Sequence, residues 1–187
     1  YGDSVQEIDW STGQILRKLD ELGLTANTLV LFTSDNGAAQ KWGGSNLPLR
    51  GWKGSTWEGG QRVPAVVQWP GTIPAGMDNA HLSSTLDILP TFAAWAGGGL
   101  PEETIDGVDI RSILIEPETA DSPRQIFYYY QKGQLQAVRS GRWKLHLPLQ
   151  NKIRNWGDGL GPQDAQLYDL VADIDESENL AAGHPEV

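Results

Sequence analysis

The feature that most constrains the fold is the run Thr28-Leu29-Val30-Leu31-Phe32-Thr33, in which apolar and β-branched residues follow one another without polar alternation. Such a run is typical of a strand covered on both faces, as in a parallel sheet. The preceding residues 3–22 lack proline and repeat apolar side chains three or four positions apart, which predicts an amphipathic helix with Asp3 or Ser4 as N-cap and Gly23 as its stop. Helix, turn and buried strand together indicate an α/β layer.

Length and charge narrow the possible function classes. The chain has 187 residues, enough for one domain or for one domain with a small appendage, and no apolar run approaches the roughly 20 residues that span a bilayer. Its formal charge of −10 opposes binding to nucleic acid, because a field of that sign repels phosphate backbones. The chain contains no cysteine, which excludes disulfides, zinc thiolate sites and a cysteine nucleophile within these residues.

Two further segments extend the α/β pattern. Residues 64–69 have the pattern of another buried strand, and residues 84–96 that of a helix in which Pro90 predicts a kink or a restart. Between the two strands, residues 34–61 are rich in Gly, Ser, Asn and Trp and show no periodicity. A loop of that length in a compact domain is usually functional or disordered.

The second half of the chain has a different pattern. Residues 101–123 form an acidic connector, and short strand candidates follow at residues 126–130, 135–139 and 143–147, separated by tight turns. This spacing predicts an antiparallel meander, to which residues 167–170 add a fourth strand. The composition changes near residues 97–99, so we predict two parts, residues 1–99 and residues 100–187.

A carboxylate and an amide follow the first strand directly, in Ser34-Asp35-Asn36-Gly37. Ligand sites of open α/β sheets collect at the carboxyl ends of the strands, and the oxygens of Asp35 and Asn36 suit Ca²⁺ or Mg²⁺ better than a soft metal. The same tetrapeptide is also a favoured turn sequence, and taken alone it indicates a turn more often than a metal site.

The next segment carries a longer pattern, Leu49-Arg50-Gly51-x-Lys53-Gly54-x-x-x-Glu58-Gly59-Gly60-x-Arg62-x-Pro64. Together with Ser-Asp-Asn-Gly, it resembles the type I, formylglycine-dependent sulfatases, and among them the arylsulfatase A and N-acetylgalactosamine-6-sulfatase branch. Residues 1–9, the pattern His81-x-x-Ser84-x-x-Asp87-Ile88-x-Pro90-Thr91, and residues 167–170 and 178–180 resemble further landmarks of that family in the same order. The resemblance covers essentially the whole chain.

This resemblance implies a fold, a metal and a substrate class. The fold it implies is the C-terminal portion of an alkaline-phosphatase-like α/β sulfatase fold, followed by a small antiparallel-sheet subdomain. It implies that Asp35 and Asn36 are ligands of an active-site Ca²⁺ and that Lys53 contacts a sulfate oxygen of a sulfated glycan or aryl compound. A divalent cation and a fixed ammonium suit this chemistry, because cleavage of a sulfate ester builds negative charge on the transferring group.

Neighbouring residues have structural interpretations. Glu58 and Arg62, four positions apart, are predicted to form a buried ion pair that braces the loop, whereas Arg50 stays open as a substrate contact. We expect hydrogen bonding within the loop for Ser45 and Asn46. Structural or surface roles are expected for His81, His146 and His184. Candidates for stacking on a sugar ring are Trp42, Trp52 and Trp57.

Parts of the resembled catalytic machinery are missing. The family makes formylglycine from a Cys or Ser in a Cys-x-Pro-x-Arg type motif, and this chain has neither that motif nor the paired aspartates, second lysine and histidines found upstream in the family. Because the chain also opens at Tyr1 and contains only Met77, we expect a fragment whose missing N-terminal part completes the Ca²⁺ site, with no turnover from the fragment alone. The resemblance implies export to the periplasm, the outside or the lysosome.

Two other function classes stay open. A metal-dependent phosphatase or phosphodiesterase would share the α/β core, although the Lys53 segment and the meander argue against it. A non-catalytic carbohydrate-binding or interaction module would account for the eight tryptophans and the absent nucleophile.

Overall fold

The computed structural model describes residues 1–150 and 163–187. Its helices are α1 (Gly2–Glu21), α2 (Glu58–Gln61), α3 (Ile88–Trp95) and α4 (Arg111–Ile115). Its strands are β1 (Val30–Thr33), β2 (Ala65–Gln68), β3 (Ile126–Gln131), β4 (Gln134–Ser140), β5 (Trp143–His146) and β6 (Gln166–Asp169). Within this described part, none of the helices combines the length and the apolar character that crossing a membrane requires.

The chain forms two compact units that alternate along the sequence. The first, here called the sheet unit, comprises residues 1–14, 32–66 and 126–187, and the second, the helical unit, comprises residues 15–31 and 67–125. All three residues predicted to bind metal or sulfate belong to the sheet unit. The predicted division into an α/β part, residues 1–99, and a small C-terminal subdomain, residues 100–187, stays a prediction.

Helix α1 ends as the sequence predicts. Gly23 adopts a φ of 66°, the left-handed conformation that glycine favours, and its N–H donates to the carbonyl of Asp20 over 2.9 Å. The N–H of Leu24 donates to Leu19 over 2.8 Å, which completes a Schellman motif and satisfies the last carbonyls of the helix. No residue of α1 is buried.

Strands β1 and β2 pair in a two-stranded sheet and lie where the sequence predicts them. The expectation that both faces of these strands are buried is wrong for the described residues, because Phe32 is 41% exposed and Val66 is 64% exposed. A strand is covered on both faces only when a layer packs on each side. The described part of the chain does not supply both layers.

Strands β3 to β6 form a four-stranded antiparallel meander in sequential order, which confirms the predicted arrangement. The β3–β4 turn is Lys132-Gly133, with φ values of 50° and 128°. A hydrophobic cluster of Trp57, Leu149, Tyr168 and Leu170 packs within the same unit. The cluster therefore joins the segment after β1 to the meander far along the chain.

In the helical unit, the predicted helix from residue 84 is present with the restart that Pro90 suggests. A 3₁₀ turn spans Thr85–Asp87, where the side chains of Ser84 and Asp87 form a capping box, and α3 then starts at Ile88. Pro90 falls in the first turn of α3, where its missing N–H breaks no hydrogen bond of the helix. The buried carboxylate of Asp87 also pairs with Arg124. Helix α4 lies in the segment that the sequence indicates only as a connector.

Candidate functional site

Asp35 and Asn36 lie directly after β1, in what we call the strand-end loop, residues 34–38. Ser34 holds the turn by donating its hydroxyl hydrogen to the carbonyl of Asn36 over 3.0 Å. Asp35 is exposed and Asn36 is half-buried. The hydrogen bond from the Asn36 side chain lowers the pKa of Asp35, slight burial opposes this, and the positive charge of Lys53 lowers it further. Asp35 is therefore a charged carboxylate at neutral pH.

Two backbone hydrogen bonds join the strand-end loop to the segment that carries Lys53, here called the lysine loop, residues 50–62. The N–H of Lys53 donates to the carbonyl of Ala38 over 3.0 Å, and the N–H of Gly37 donates to the carbonyl of Gly60 over 3.2 Å. The two loops, predicted separately from their motifs, therefore lie side by side.

Lys53 combines partial burial with a side chain that has no bonded partner among the described residues. The residue is half-buried, yet none of the described residues forms a side-chain hydrogen bond or an ion pair with it. Its charge acts on the Asp35 carboxylate through space, while the hydrogens of its ammonium group have no acceptor among the described residues. Such a group is suited to bind an anion from outside the chain.

The strand-end loop offers the donor chemistry of a hard-metal site but too few donors. A carboxylate and a side-chain amide supply oxygens that suit Ca²⁺ or Mg²⁺. Ca²⁺ takes about six to eight oxygens, and among the described residues no group of three or more His, Cys, Asp or Glu side chains could hold a metal. The type of donor fits a divalent cation, whereas most of the ligands would have to come from elsewhere.

Asn46 supports the strand-end loop through hydrogen bonds, as predicted. Its side-chain oxygen accepts the N–H of Ala38 over 2.7 Å, and its amide donates to Ala38 over 3.2 Å and to Gly51 over 3.0 Å. Ser45 accepts the N–H of Leu47 within the same segment. Both polar side chains are therefore used inside the loop.

The structure changes the predicted ion pair of Glu58. Glu58 is buried as expected, but Arg62 is half-exposed and lies 4.0 Å away, whereas the Nζ of Lys144 lies 2.9 Å from the Glu58 carboxylate. Arg50 stacks over the ring of Trp57 at 3.8 Å and donates to the carbonyl of Glu176 over 2.7 Å. Arg50 therefore holds the lysine loop against the C-terminal segment.

The three histidines have local roles, in line with expectation. His81 contacts the carbonyl of Pro117 at 2.9 Å, His184 contacts Glu186, and His146 is fully buried beside Glu176. Burial lowers the pKa of His146 despite the hydrogen bond with Glu176 that opposes the effect.

The three tryptophans proposed for sugar stacking separate by exposure. Trp57 is only 6% exposed and packs 4.1 Å from the ring of His146, so it is part of the core and the proposal is wrong for it. Trp52 is half-buried. Trp42 is 75% exposed and remains a candidate.

Sequence reasoning missed Lys144 and Glu176, which are fully buried beside Glu58. The strand Trp143-Lys144-Leu145-His146 alternates apolar and polar residues, a pattern that places the apolar side chains inward. In the structure the polar side faces inward instead, because Lys144 and His146 are the buried positions. A local pattern gives no signal for this inversion, since the compensating charges lie 86 and 32 residues away along the chain.

Comparisons with known proteins agree with the family resemblance that the sequence motifs indicate. The model of the family described as Sulfatase matches residues 1–98, and the model described as N-sulphoglucosamine sulphohydrolase, C-terminal, matches residues 51–186. Between them the two models match nearly the whole chain.

Individual relatives agree with the family models. The chain is 44% identical to the steryl-sulfatase of Mus musculus over 157 residues, covering 77% of the chain and 25% of that protein. It is 37% identical to the arylsulfatase A of Homo sapiens over 201 residues, covering 98% of the chain and 39% of that protein. The crystal structure of the PsFucS1 sulfatase from Pseudoalteromonas sp. superposes with a TM-score of 0.83 at 31% identity, covering 98% of the chain and 40% of that structure. The chain thus spans between a quarter and two fifths of the length of these relatives.

Proposed function

The chain belongs to the sulfatase family, and from that premise we propose that it forms part of the active site of a sulfuric ester hydrolase. In this proposal Asp35 and Asn36 bind a divalent cation, and Lys53 binds an oxygen of the sulfate group. The C-terminal meander supports the lysine loop and takes no part in the chemistry.

The observation that carries the proposal is the half-buried residue Lys53, whose backbone N–H bonds the strand-end loop and whose side chain forms no hydrogen bond or ion pair with the described residues, although its charge acts on Asp35. Hydrolysis of a sulfate ester builds negative charge on the transferring group. A cation fixed before the reaction stabilises that charge without having to reorganise. The backbone of Lys53 is held by Ala38, which fixes the base of the side chain that carries the charge.

Other parts of the proposed site come from outside the described residues. We propose Ca²⁺ as the cation, and a formylglycine nucleophile, with the remaining ligands supplied by the rest of the parent protein. When bound, the cation supplies charge stabilisation for the sulfate oxygens. The roles of this chain are to provide two ligand oxygens and to hold the ammonium beside them.

The substrate class follows from the charge of the site and from one exposed ring. A sulfate monoester of a glycan or aryl compound fits a site with an ammonium and a divalent cation. Trp42, 75% exposed on the segment after the strand-end loop, offers a flat apolar face on which a sugar or aryl ring could stack. By analogy with the family, we propose an exported protein.

The alternative function classes are less well supported. A carbohydrate-binding module has no need of an unpaired ammonium held beside a carboxylate and an amide. A phosphatase or phosphodiesterase would use similar electrostatics, and its distinguishing property is hydrolysis of phosphate esters in preference to sulfate esters. The relative rates of hydrolysis of a sulfate ester and a phosphate ester therefore distinguish the two classes of enzyme.

The test uses the full product of the gene and the hydrolysis of 4-nitrophenyl sulfate. We expect Lys53→Ala to lower kcat/KM by about 100-fold or more, because it removes a charge aimed at the developing sulfate charge. Lys41→Ala is the matched control, since Lys41 is an exposed lysine on the adjacent segment, and we expect less than about a 3-fold change. Addition of a Ca²⁺ chelator is expected to abolish turnover.

Three results would overturn the proposal. These are full activity of the Lys53→Ala variant, hydrolysis of 4-nitrophenyl phosphate faster than that of the sulfate, and robust sulfate ester hydrolysis by residues 1–187 alone.

A further inference from the structure

Three charged side chains are buried together at the C-terminal end of the lysine loop. We call them the buried charge network: Glu58, Lys144 and Glu176. Their side chains are at most 1% exposed. The Nζ of Lys144 lies 2.9 Å from a carboxylate oxygen of each glutamate. The hydroxyl of Tyr129 donates to Glu58 over 3.1 Å, and Arg139 lies 3.5 Å from the same carboxylate. With Arg62 at 4.0 Å from Glu58, three cations among the described residues lie within ion-pair distance of the two glutamates.

Two groups of this cluster, Glu176 and Tyr129, have pKa values shifted by their surroundings. Burial alone would raise the pKa of Glu176, but its hydrogen bond with His146 and the charge of Lys144 hold it below the ordinary value. Burial raises the pKa of Tyr129 far above its usual range, so its hydroxyl keeps the proton that it donates to Glu58.

A network of this kind is a poor way to gain stability. Taking charges out of water costs several kcal/mol per ion, and apolar residues of similar volume often stabilise as well or better. What charged hydrogen bonds provide is a single defined geometry, because their partners must meet at fixed distances and angles. A network of this kind therefore fixes the positions of the backbone segments that carry its members.

The network holds the lysine loop at its C-terminal end. Glu58 begins helix α2, and its N–H donates to the carboxylate of Glu176 over 2.7 Å, so both its backbone and its side chain are bound. The adjacent Gly59 donates to Arg50 over 2.7 Å, and Gly60 accepts from Gly37 of the strand-end loop. A shift of Glu58 would therefore move both sides of the proposed site.

The segment between Glu58 and Lys53 is too tightly bonded to absorb such a shift. The N–H and the hydroxyl of Ser55 both donate to Trp52, over 3.0 Å and 2.8 Å, and the hydroxyl of Thr56 donates to Gln136 of strand β4 over 3.0 Å. Ser55, Thr56 and Glu58 are each at most 1% exposed. The position of Lys53 is thus coupled through the four intervening residues to the position of Glu58.

We propose that the buried charge network is a positioning device for catalysis, in which Glu58, held by Lys144 and Glu176, sets the place of the Lys53 ammonium relative to Asp35 and Asn36. These three residues touch no substrate and act through Lys53. This inference rests on the proposed function of Lys53. It adds an explanation of how the Lys53 side chain is held in position. A displacement of about 1 Å in a catalytic group costs on the order of 100-fold in rate.

The decisive experiment is a double-mutant cycle on the full product of the gene, measured as kcat/KM for 4-nitrophenyl sulfate and as inhibition by inorganic sulfate. Glu58→Gln keeps the shape of the side chain and removes its charge, and we expect a loss of roughly 30- to 100-fold. If Glu58 acts through Lys53, the double variant Lys53→Ala/Glu58→Gln loses no more than Lys53→Ala alone. Losses that multiply would overturn the inference.

A matched control separates positioning from general stability. Asp87→Asn breaks the buried ion pair with Arg124 in the helical unit and is expected to lower the thermal midpoint. Its effect on kcat/KM, counted per folded molecule, should be less than about 3-fold, and it should combine multiplicatively with Lys53→Ala. An Asp87→Asn variant as impaired in turnover as Glu58→Gln would contradict a specific role for the network.

A milder variant keeps the test decisive if Glu58→Gln does not fold. Tyr129→Phe removes only the hydroxyl that donates to Glu58, and we expect a loss of about 3- to 10-fold that disappears in the Lys53→Ala background. If Lys53→Ala itself is fully active, the proposed function fails. If Lys53→Ala is impaired while folded Glu58→Gln and Tyr129→Phe are as active as the unmodified protein, this inference alone fails.

Discussion

At Gly37 the strand-end loop lies directly against the backbone of the lysine loop. A Cβ atom at this position would lie 1.7 Å from the carbonyl oxygen of Gly59, far inside any van der Waals contact. Gly59 is itself enclosed, since its own Cβ would lie 2.6 Å from the carbonyls of Arg50 and Gly51. Neither backbone can retreat without breaking hydrogen bonds, so the absence of a side chain at residue 37 is a requirement of the site.

We expect Gly37→Ala to destabilise the protein by about 3 kcal/mol or more, because the added methyl meets backbone atoms that cannot move aside. Chemical denaturation followed by tryptophan fluorescence measures the change. Gly99→Ala is the control, since nothing lies within 4 Å of a Cβ at that position, and its effect should stay within about 0.5 kcal/mol. Equal stability of the two variants would show that the loops are farther apart than described.

For single side chains, the sequence predicts whether a residue is buried better than it predicts which residue it contacts. The burial of Glu58 was expected from its place among glycines, and it is confirmed. The predicted partner Arg62 is present at 4.0 Å, but the nearer partner Lys144, at 2.9 Å, comes from a strand 86 residues away and was missed. For Trp57, a residue in a polar glycine-rich loop looked available to a sugar, and only the packing of the meander shows that it is core.

Among the elements, the turn at residues 173–178 has a specific task, because it carries Glu176 into the buried charge network. Glu176 adopts a φ of 52°, a left-handed conformation that costs energy for a residue with a side chain. The carboxylate of Asp173 stabilises the turn by accepting the N–H groups of Ser177 and Glu178, each over 2.9 Å. Burial opposes the effect, but these hydrogen bonds lower the pKa of Asp173 to about 2.

This lowered pKa predicts an acid-sensitive turn. Because the folded value lies below the reference value of 3.8, Asp173 contributes stability above pH 3.8 that is lost as the pH falls through about 2. We expect Asp173→Asn to be about 1 kcal/mol less stable than the unmodified protein at pH 7, with the difference shrinking toward pH 2. Urea unfolding across this range measures it.

Asp78→Asn is the control for the acid range, since Asp78 is exposed and accepts no hydrogen bond from the described residues. Its stability should follow that of the unmodified protein at every pH. A gap between Asp173→Asn and the unmodified protein that stays constant from pH 7 to pH 2 would contradict the assignment.

The elements themselves were largely predictable. The C-terminal stop of α1, the capping of the turn before α3 and all four strands of the meander follow from local signals such as glycine, a capping box and period-two alternation. Burial of β1 on both faces could not be predicted in the same way. An apolar run shows that a strand is suited to burial, but it does not show whether other residues are present to cover it. Helix α2 was missed because two of its four residues are glycines, which disfavour helices.

For the molecule as a whole, the most prominent feature is an apolar stripe along α1. The side chains of Val5, Ile8 and Ile15 recur at helical spacing and are each about half exposed, as is Leu22 just beyond the helix. An exposed stripe of this size is typical of a surface that another chain or segment covers. The net charge of −10 makes two copies of the chain repel each other at long range, and salt screens this repulsion.

We therefore predict that residues 1–187 produced alone self-associate at micromolar concentration in about 0.15 M salt, because burial of the stripe outweighs the screened repulsion. Analytical ultracentrifugation measures the assembly. The double variant Ile8→Glu/Ile15→Glu should shift the chain toward monomer, whereas Glu7→Gln, outside the stripe, should not. A monomeric unmodified chain at these concentrations would contradict the prediction.

The bridge that Asn46 makes between Ala38 and Gly51 has an evolutionary consequence. It closes residues 39–45 into a loop whose ends are tied together by one side chain, so the ends keep their places whatever lies between them. Trp42 within that loop is 75% exposed, so exchanges at its position meet few neighbours, whereas a Cβ atom at Gly44 would lie 2.7 Å from the Cβ of Ala38. Asn46 is therefore the residue that any change in the length of this loop must preserve, because its side chain ties both ends.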